Sequence, residues 1–231
     1  MPGDLASIRA VTFDCYGTLV DWEHGARAAL ARVASSRGRE VDPEGLRIAW
    51  EEAQWRMILG PYRPYRDIVV ASAVEALRGF GVDADEDDGL RVIAELPSWP
   101  AFPDTVPALA RLRRRGLLVG ILSNIDRDLI EATIDRAGLD VDLVVTAEEV
   151  KSYKPAEGHF KTALARLGLA APQVVHAAFG FRYDLETAHR LRFVTAFVRR
   201  GRPAPAPAPG NGPSPDLSVD DVAALASALG A

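Results

Sequence analysis

One pattern recurs along this chain: a short β-branched or aliphatic run, ended by polar residues, then a stretch with helical spacing. It occurs at Ile8 to Phe13, Leu117 to Leu122, Val141 to Val145 and Val174 to Phe179, and Phe193 to Val198 supplies a fifth case. Runs that are apolar throughout suit strands covered on both faces, and a strand–helix–strand succession is how parallel neighbours are joined. The pattern predicts a doubly wound α/β core with a parallel sheet. Helix signals fit between the runs. Asp126 is placed to cap a helix with Leu129, Ile130, Thr133, Ile134 and Ala137 on one face, and Gly138 is its C-terminal stop. Asp104 precedes Leu109 and Leu112, and Gly116 ends that segment before the next strand.

The rhythm breaks between Asp21 and Trp99, where helical periods occur without a convincing strand. Leu46, Ala49, Trp50, Ala53 and Met57 share one helix face, as do Val69, Ala73, Ala76, Leu77 and Phe80. Between these stripes Gly60-Pro61-Tyr62-Arg63-Pro64 forbids a continuous helix and predicts a turn facing the core. Residues 21–99 are therefore expected to form an inserted helical domain, and residues 1–20 and 100–231 a discontinuous α/β core. The acidic run Asp83 to Asp88 is expected to be a solvated helix start. Gly201 to Pro215, alternating proline with alanine and glycine, is expected to be a surface loop. Ser218-Val219-Asp220-Asp221 reads as a capping box opening a final helix with Val222, Leu225 and Leu229 on its apolar side.

Charge excludes one class of partner. With 27 basic and 32 acidic residues the 231-residue chain carries a net charge of −5, whereas nucleic-acid binding needs a concentrated positive surface. No apolar run approaches the roughly 20 residues of a membrane span, and Met1-Pro2-Gly3-Asp4 lacks the features of a secretion signal, so a cytoplasmic location is expected. Cys15, the single cysteine, is expected to pack in the core. His24, His159, His176 and His189 show no metal-ligand spacing and are expected to be structural or exposed. The basic run Arg111 to Arg115 is expected to be structural.

Chemistry concentrates at Val11-Thr12-Phe13-Asp14-Cys15-Tyr16-Gly17-Thr18-Leu19. An Asp just beyond the carboxyl end of a buried strand, followed by glycine-containing turn chemistry, is a candidate nucleophile. Leu122-Ser123-Asn124 ends the second strand, Ser152-Tyr153-Lys154-Pro155 brings a lysine, and Asp184 adds a late carboxylate. In this order the four segments resemble the motifs of the haloacid dehalogenase superfamily over nearly the whole chain, with the helical insertion where that family carries its cap. Tyr16 and the Tyr-Lys-Pro sequence are similar to the hydrolytic 2-haloacid dehalogenases rather than the phosphatases of the superfamily. The phosphatases use a second Asp, two residues after the first, to protonate an alkoxide, and a halide needs no proton.

The resemblance implies a small-molecule substrate, no metal or other cofactor, and frequent dimerisation. It implies that Asp14 attacks the halogen-bearing carbon, that Lys154 keeps Asp14 ionised, and that Asp184 either holds the lysine or orients the hydrolytic water. Thr18, Ser123 and Asn124, with backbone amides around Cys15 and Tyr16, are implied as donors to the substrate carboxylate or the departing halide. Two departures stand out. The family's substrate-gripping arginine is matched by Glu51, leaving Arg47, Arg56, Arg63 or Arg66 to substitute. Phe179 and Phe181 stand where small polar groups are usual, forming either an apolar halide pocket or a site with weaker water activation, with Arg182 as an added positive charge. The alternatives are a Mg²⁺-dependent phosphatase of the same fold and a binding protein that has lost turnover.

Overall fold

The computed structural model describes residues 5–201 and 214–231. Six parallel strands form one sheet: β1 (Ala10–Phe13), β2 (Leu118–Ser123), β3 (Leu143–Thr146), β4 (Val174–Ala178), β5 (Val194–Val198) and β6 (Leu217–Val219). Their order is β3-β2-β1-β4-β5-β6. The chain adds β2 and β3 on one side of β1, then returns to add β4, β5 and β6 on the other. Such a reversal opens a crevice beyond the carboxyl ends of the strands that flank it, here β1 and β4.

A strand lies on each of the five apolar runs, with β2 and β3 reaching one residue further, to Ser123 and Thr146. β3 begins two residues later than its run because Asp142 accepts from the Val119 amide (2.8 Å) and donates its own to the Val119 carbonyl (2.7 Å). β6 corrects the sequence reading. Ser218 lies in this edge strand, and the N-cap of the last helix is Asp221, whose carboxylate accepts from the Ala224 amide at 2.7 Å. Asp216 docks the segment by accepting from both the amide and the hydroxyl of Thr195, each at 2.8 Å. Residues 1–4 and most of the proline-rich stretch, residues 202–213, lie outside the described residues.

The sheet is covered on both faces. Val11, Phe13, Val119, Ile121, Val175 and Ala177 pack against α5 (Thr105–Arg114) and the final helix (Val222–Ala228). Their neighbours in the period of two, Ala10, Leu122 and Val174, pack with the helices Gly158–Leu167 and Glu186–Arg190. Thr12 and His176, side by side in register, therefore belong to this second face, and the same alternation aims Asp14 toward it.

Between β1 and α5 the chain forms the helices α1 (Trp22–Ser36), α2 (Pro43–Ile58), α3 (Tyr65–Gly79) and α4 (Glu86–Glu95). Leu46, Trp50 and Ala53 of α2 and Val69, Ala73, Ala76 and Leu77 of α3 are buried, as their spacing predicts. The acidic run differs from expectation. Asp85 and Asp88 form a capping box for α4, but Asp88 is fully buried and paired with Arg37 at 2.7 Å. A carboxylate beside a guanidinium is tolerated where a lone one is not.

The turn at residues 60–64 faces the core, where the Tyr62 and Tyr153 rings pack 5.5 Å apart and the Tyr153 hydroxyl donates to the Arg63 carbonyl at 2.7 Å. Asp126 differs from its expected role as well. It precedes α6 (Arg127–Ala137), yet its carboxylate makes no capping bond there. It accepts instead from the amides of Tyr65 (2.8 Å) and Arg66 (2.9 Å), capping α3, whose own N-cap residue Pro64 has no acceptor. A core carboxylate thus ends a helix of the insertion.

Candidate active site

Asp14 leaves β1 into a tight turn in which the Cys15 carbonyl accepts from the amides of Thr18 (3.2 Å), Leu19 (2.7 Å) and Val20 (3.0 Å). The turn needs Gly17, which has φ +94° and lies so close to Phe179 that a Cβ would sit 2.4 Å from the ring. The amides of Cys15 and Tyr16 donate to no group among the described residues. The Cys15 side chain is buried in the core, and burial pushes its thiol well above the ordinary range, so it is a packing group.

Lys154 binds three oxygens. Its Nζ donates to Asp14 Oδ1 (2.9 Å), Asp184 Oδ1 (2.6 Å) and the Leu122 carbonyl (2.8 Å), and its side chain is 1 % exposed. Asn124 fixes the lysine's backbone: its Nδ2 donates to the Lys154 carbonyl (3.1 Å) and its Oδ1 accepts from the Lys154 amide (2.7 Å). Thr18 donates to Asp14 Oδ2 (3.2 Å) and accepts from the Phe179 amide (3.1 Å), linking the turn after β1 to the end of β4. Asp184 lies in a π-helical turn, Phe181–Leu185, of the kind often found at functional sites.

His176 is the member that sequence reasoning missed. Its Nε2 is 3.0 Å from Asp184 Oδ1 and its Nδ1 is 3.0 Å from Thr12 Oγ1. Burial pushes this imidazole below its ordinary value despite the neighbouring carboxylate, so it is neutral. Nε2–H then donates to Asp184, and the Thr12 hydroxyl donates to Nδ1. The signal available was weak: a histidine inside an apolar run, three residues before that run ends.

Burial dominates the electrostatics. It pushes Asp14 up to about 6 against the pull of Lys154, with Asp184 reinforcing the rise. Asp184 is also disfavoured by burial, yet Lys154 and His176 together hold it below its usual range. Lys154 resists desolvation because two carboxylates face it, and it stays above its ordinary value. The three groups titrate as a unit, in which Asp184 and Lys154 are charged and Asp14 is the member that ionises late.

These side chains form the floor of a cavity of about 730 Å³, its open mouth included, between the sheet's carboxyl edge and the inserted helices. Ser123 and Asn124 join the floor, and Trp22, Trp50, Trp99, Tyr65 and Glu51 come from the insertion and the segment that ends it. The three indole nitrogens are buried and donate to no group among the described residues, an arrangement more common at a site than in a settled core. Phe179 lines this cavity, whereas Phe181 packs on Phe197 at 5.3 Å. None of the candidate arginines lines it. Arg47 pairs with Glu44 and Glu51, Arg56 with Glu75, and Arg66 with Asp126 and Asp128. Arg182 lies over the Trp55 ring at 4.2 Å. Nor does the donor set suit Mg²⁺: among the described residues no three His, Cys, Asp or Glu side chains gather to hold a metal, and the Lys154 ammonium takes the position between the carboxylates.

A carboxylate-bearing turn after the central strand, a lysine shared by two carboxylates and a helical insertion over the pocket define a hydrolase class. The chain belongs to the haloacid dehalogenase-like hydrolases, whose family profile matches residues 8–177. Within that family it is similar to (S)-2-haloacid dehalogenase 4A of Burkholderia cepacia, 28% identical over 205 residues that cover 85% of this chain and 86% of the relative. Two crystal structures agree along nearly the full length. The L-2-haloacid dehalogenase RSc1362 superposes with a TM-score of 0.85 at 27% identity, covering 97% of this chain and 99% of that one. The defluorinating L-2-haloacid dehalogenase Rha0230 superposes with a TM-score of 0.82 at 28% identity, covering 97% and 96%.

Proposed function

We propose that the protein hydrolyses the carbon–halogen bond of a small 2-haloacid through an ester on Asp14. One observation carries this reading: the cavity floor offers a carboxylate nucleophile held by Lys154, with no second acid where a poor leaving group would need one. Tyr16 takes that position, and its hydroxyl is engaged with Thr133 Oγ1 at 2.7 Å. The names of the similar proteins support the same chemistry.

In the first step an Asp14 oxygen bonds to C2 of the substrate, and the halide leaves with the bonding electron pair. The free amides of Cys15 and Tyr16, the Ser123 hydroxyl and the second Nδ2–H of Asn124 receive the substrate carboxylate or the halide. In the second step water adds to the ester carbonyl carbon, the 2-hydroxyacid leaves with the original Asp14 oxygen, and one proton is released. Asp184, fixed by Lys154 and His176, orients that water. Thr18 and Asn124 act by holding Asp14 and Lys154 in place. Residues 21–99 serve as a cap that closes the pocket over the core formed by residues 1–20 and 100–231. We read the enzyme as cytoplasmic and as a homodimer, as the resemblance to this family implies.

Single-turnover reaction in ¹⁸O-water tests the ester. The label is expected in the Asp14 side chain by mass spectrometry of the protein, and label appearing only in the hydroxyacid rejects the mechanism. The pH profile is a second test. Because the nucleophile must be ionised and burial pushes Asp14 up to about 6, kcat/KM is expected to rise about tenfold per pH unit below that value and to level off above it. A flat profile from pH 4.5 to 8 contradicts the assignment of Asp14.

A further inference from the structure

The charges lining the cavity do not match a simple anionic substrate. Asp14, Asp184 and Glu51 face Lys154 alone, so the pocket is negative once Asp14 ionises. Glu51 is the unusual member. It lies on α2, across the cavity from the nucleophile's turn, and takes no part in the Asp14–Lys154–Asp184 cluster.

Arg47 engages one of the two Glu51 oxygens. That guanidinium divides its bonds between Glu44, at 2.7 Å, and Glu51 Oε2, at 2.9 Å, and packs 5.3 Å from the Trp22 ring centroid. The Arg47 side chain is buried and does not line the cavity. Glu51 Oε1 receives no hydrogen bond from any described residue. The carboxylate's field also reaches the cavity: after burial itself, Glu51 is the largest influence raising the Tyr183 hydroxyl, and Tyr183 lines the same space.

The surrounding wall is aromatic. Trp50 stands between Trp22 and Trp99, with centroids 6.0 and 6.3 Å away, and all three line the pocket with Tyr65. Aromatic rings beside a carboxylate oxygen that accepts no hydrogen bond favour a cation over an anion or a plain alkyl group. We infer that Glu51 and these indoles receive a positively charged amino group at the end of the substrate remote from the reacting carbon. The substrate class is then a zwitterionic 2-haloacid: its carboxylate sits on the amides after β1, its C2 meets Asp14, and its ammonium reaches Glu51. This rests on the carbon–halogen hydrolysis proposed above and adds to it what the pocket selects.

An isosteric pair tests the selection. (S)-4-amino-2-chlorobutanoate and (S)-2-chloropentanoate differ only in an ammonium for a methyl group, so their ratio of kcat/KM isolates the charge. Halide release is corrected by the Asp14→Asn protein. The aminated substrate is expected to be preferred by at least about tenfold, chiefly through KM, and Glu51→Gln is expected to bring the ratio near one. A wild-type ratio at or below one overturns the inference, as does a ratio that Glu51→Gln leaves unchanged.

A binding arm keeps the two claims separable. Calorimetry on the Asp14→Asn protein is expected to show tighter binding of the aminated compound, and adding Glu51→Gln to abolish the difference. That result upholds the inference even where the active enzyme releases no halide, which would reject the reaction instead. Equal binding of the two compounds rejects the inference while halide release leaves the reaction standing.

Discussion

Replacing Asp14 by Asn is expected to lower halide release by at least about 10⁴-fold while leaving the protein as stable as the parent, or more stable, at neutral pH. The loss of activity follows from removing the oxygen that the proposed mechanism uses for attack. The stability follows from the direction in which the fold perturbs this acid. Burial raises Asp14 from 3.8 to about 6, so the folded state prefers the protonated form, and ionising it costs stability as pH climbs through that interval. Asn carries no such penalty. Thermal unfolding of the two proteins should therefore nearly coincide around pH 4 and separate by on the order of 1–3 kcal/mol in favour of Asn by pH 7. A variant clearly less stable at pH 7 would mean that the bond to Lys154 outweighs desolvation.

Lys154→Met is expected to have the opposite effect on stability and a comparable effect on turnover. The substitution keeps the apolar stem and deletes a buried ammonium that donates to two carboxylates and the Leu122 carbonyl. Removing one partner of a buried ion pair costs about 3–5 kcal/mol because the other is left uncompensated, which for a chain of this size lowers Tm by roughly 6–20 °C. Without the lysine Asp14 must ionise beside Asp184 unaided, so the acid limb of the pH profile moves above 6. Residual activity that recovers toward high pH supports the lysine as the group that keeps the nucleophile ionised. A profile unmoved on the pH axis would reduce it to a structural role.

Much of the core could be read from local pattern, because strands buried on both faces leave unbroken apolar runs and their ends locate Asp14 and Ser123. What escaped was decided by partners far away in sequence. β6 has only three residues, and its docking depends on Asp216 meeting Thr195. Asp126 looked like a cap for the helix that follows it, and its position in sequence gave no hint that Tyr65 would arrive 61 residues earlier. Asp88 lay inside a run that composition marks as solvated, yet Arg37 takes it into the interior. The same limit applied to the site. Asp14, Lys154 and Asp184 were legible as motifs, whereas His176 looked like one more core position until β4 placed it beside Thr12 and below Asp184. The arginines of the insertion could be counted in sequence, but only the fold shows that salt bridges occupy Arg47, Arg56 and Arg66 and that none of the three lines the pocket.

The bonds from Asp126 to the start of α3 join the insertion to the core beside the pocket. Two peptide amides, the Arg66 side chain and the neighbouring tyrosine pair hold that junction. A second junction is the edge-to-face contact of Trp55 with the Tyr183 ring at 4.7 Å. The first is polar and the second aromatic, so the insertion is seated on the core by two kinds of contact.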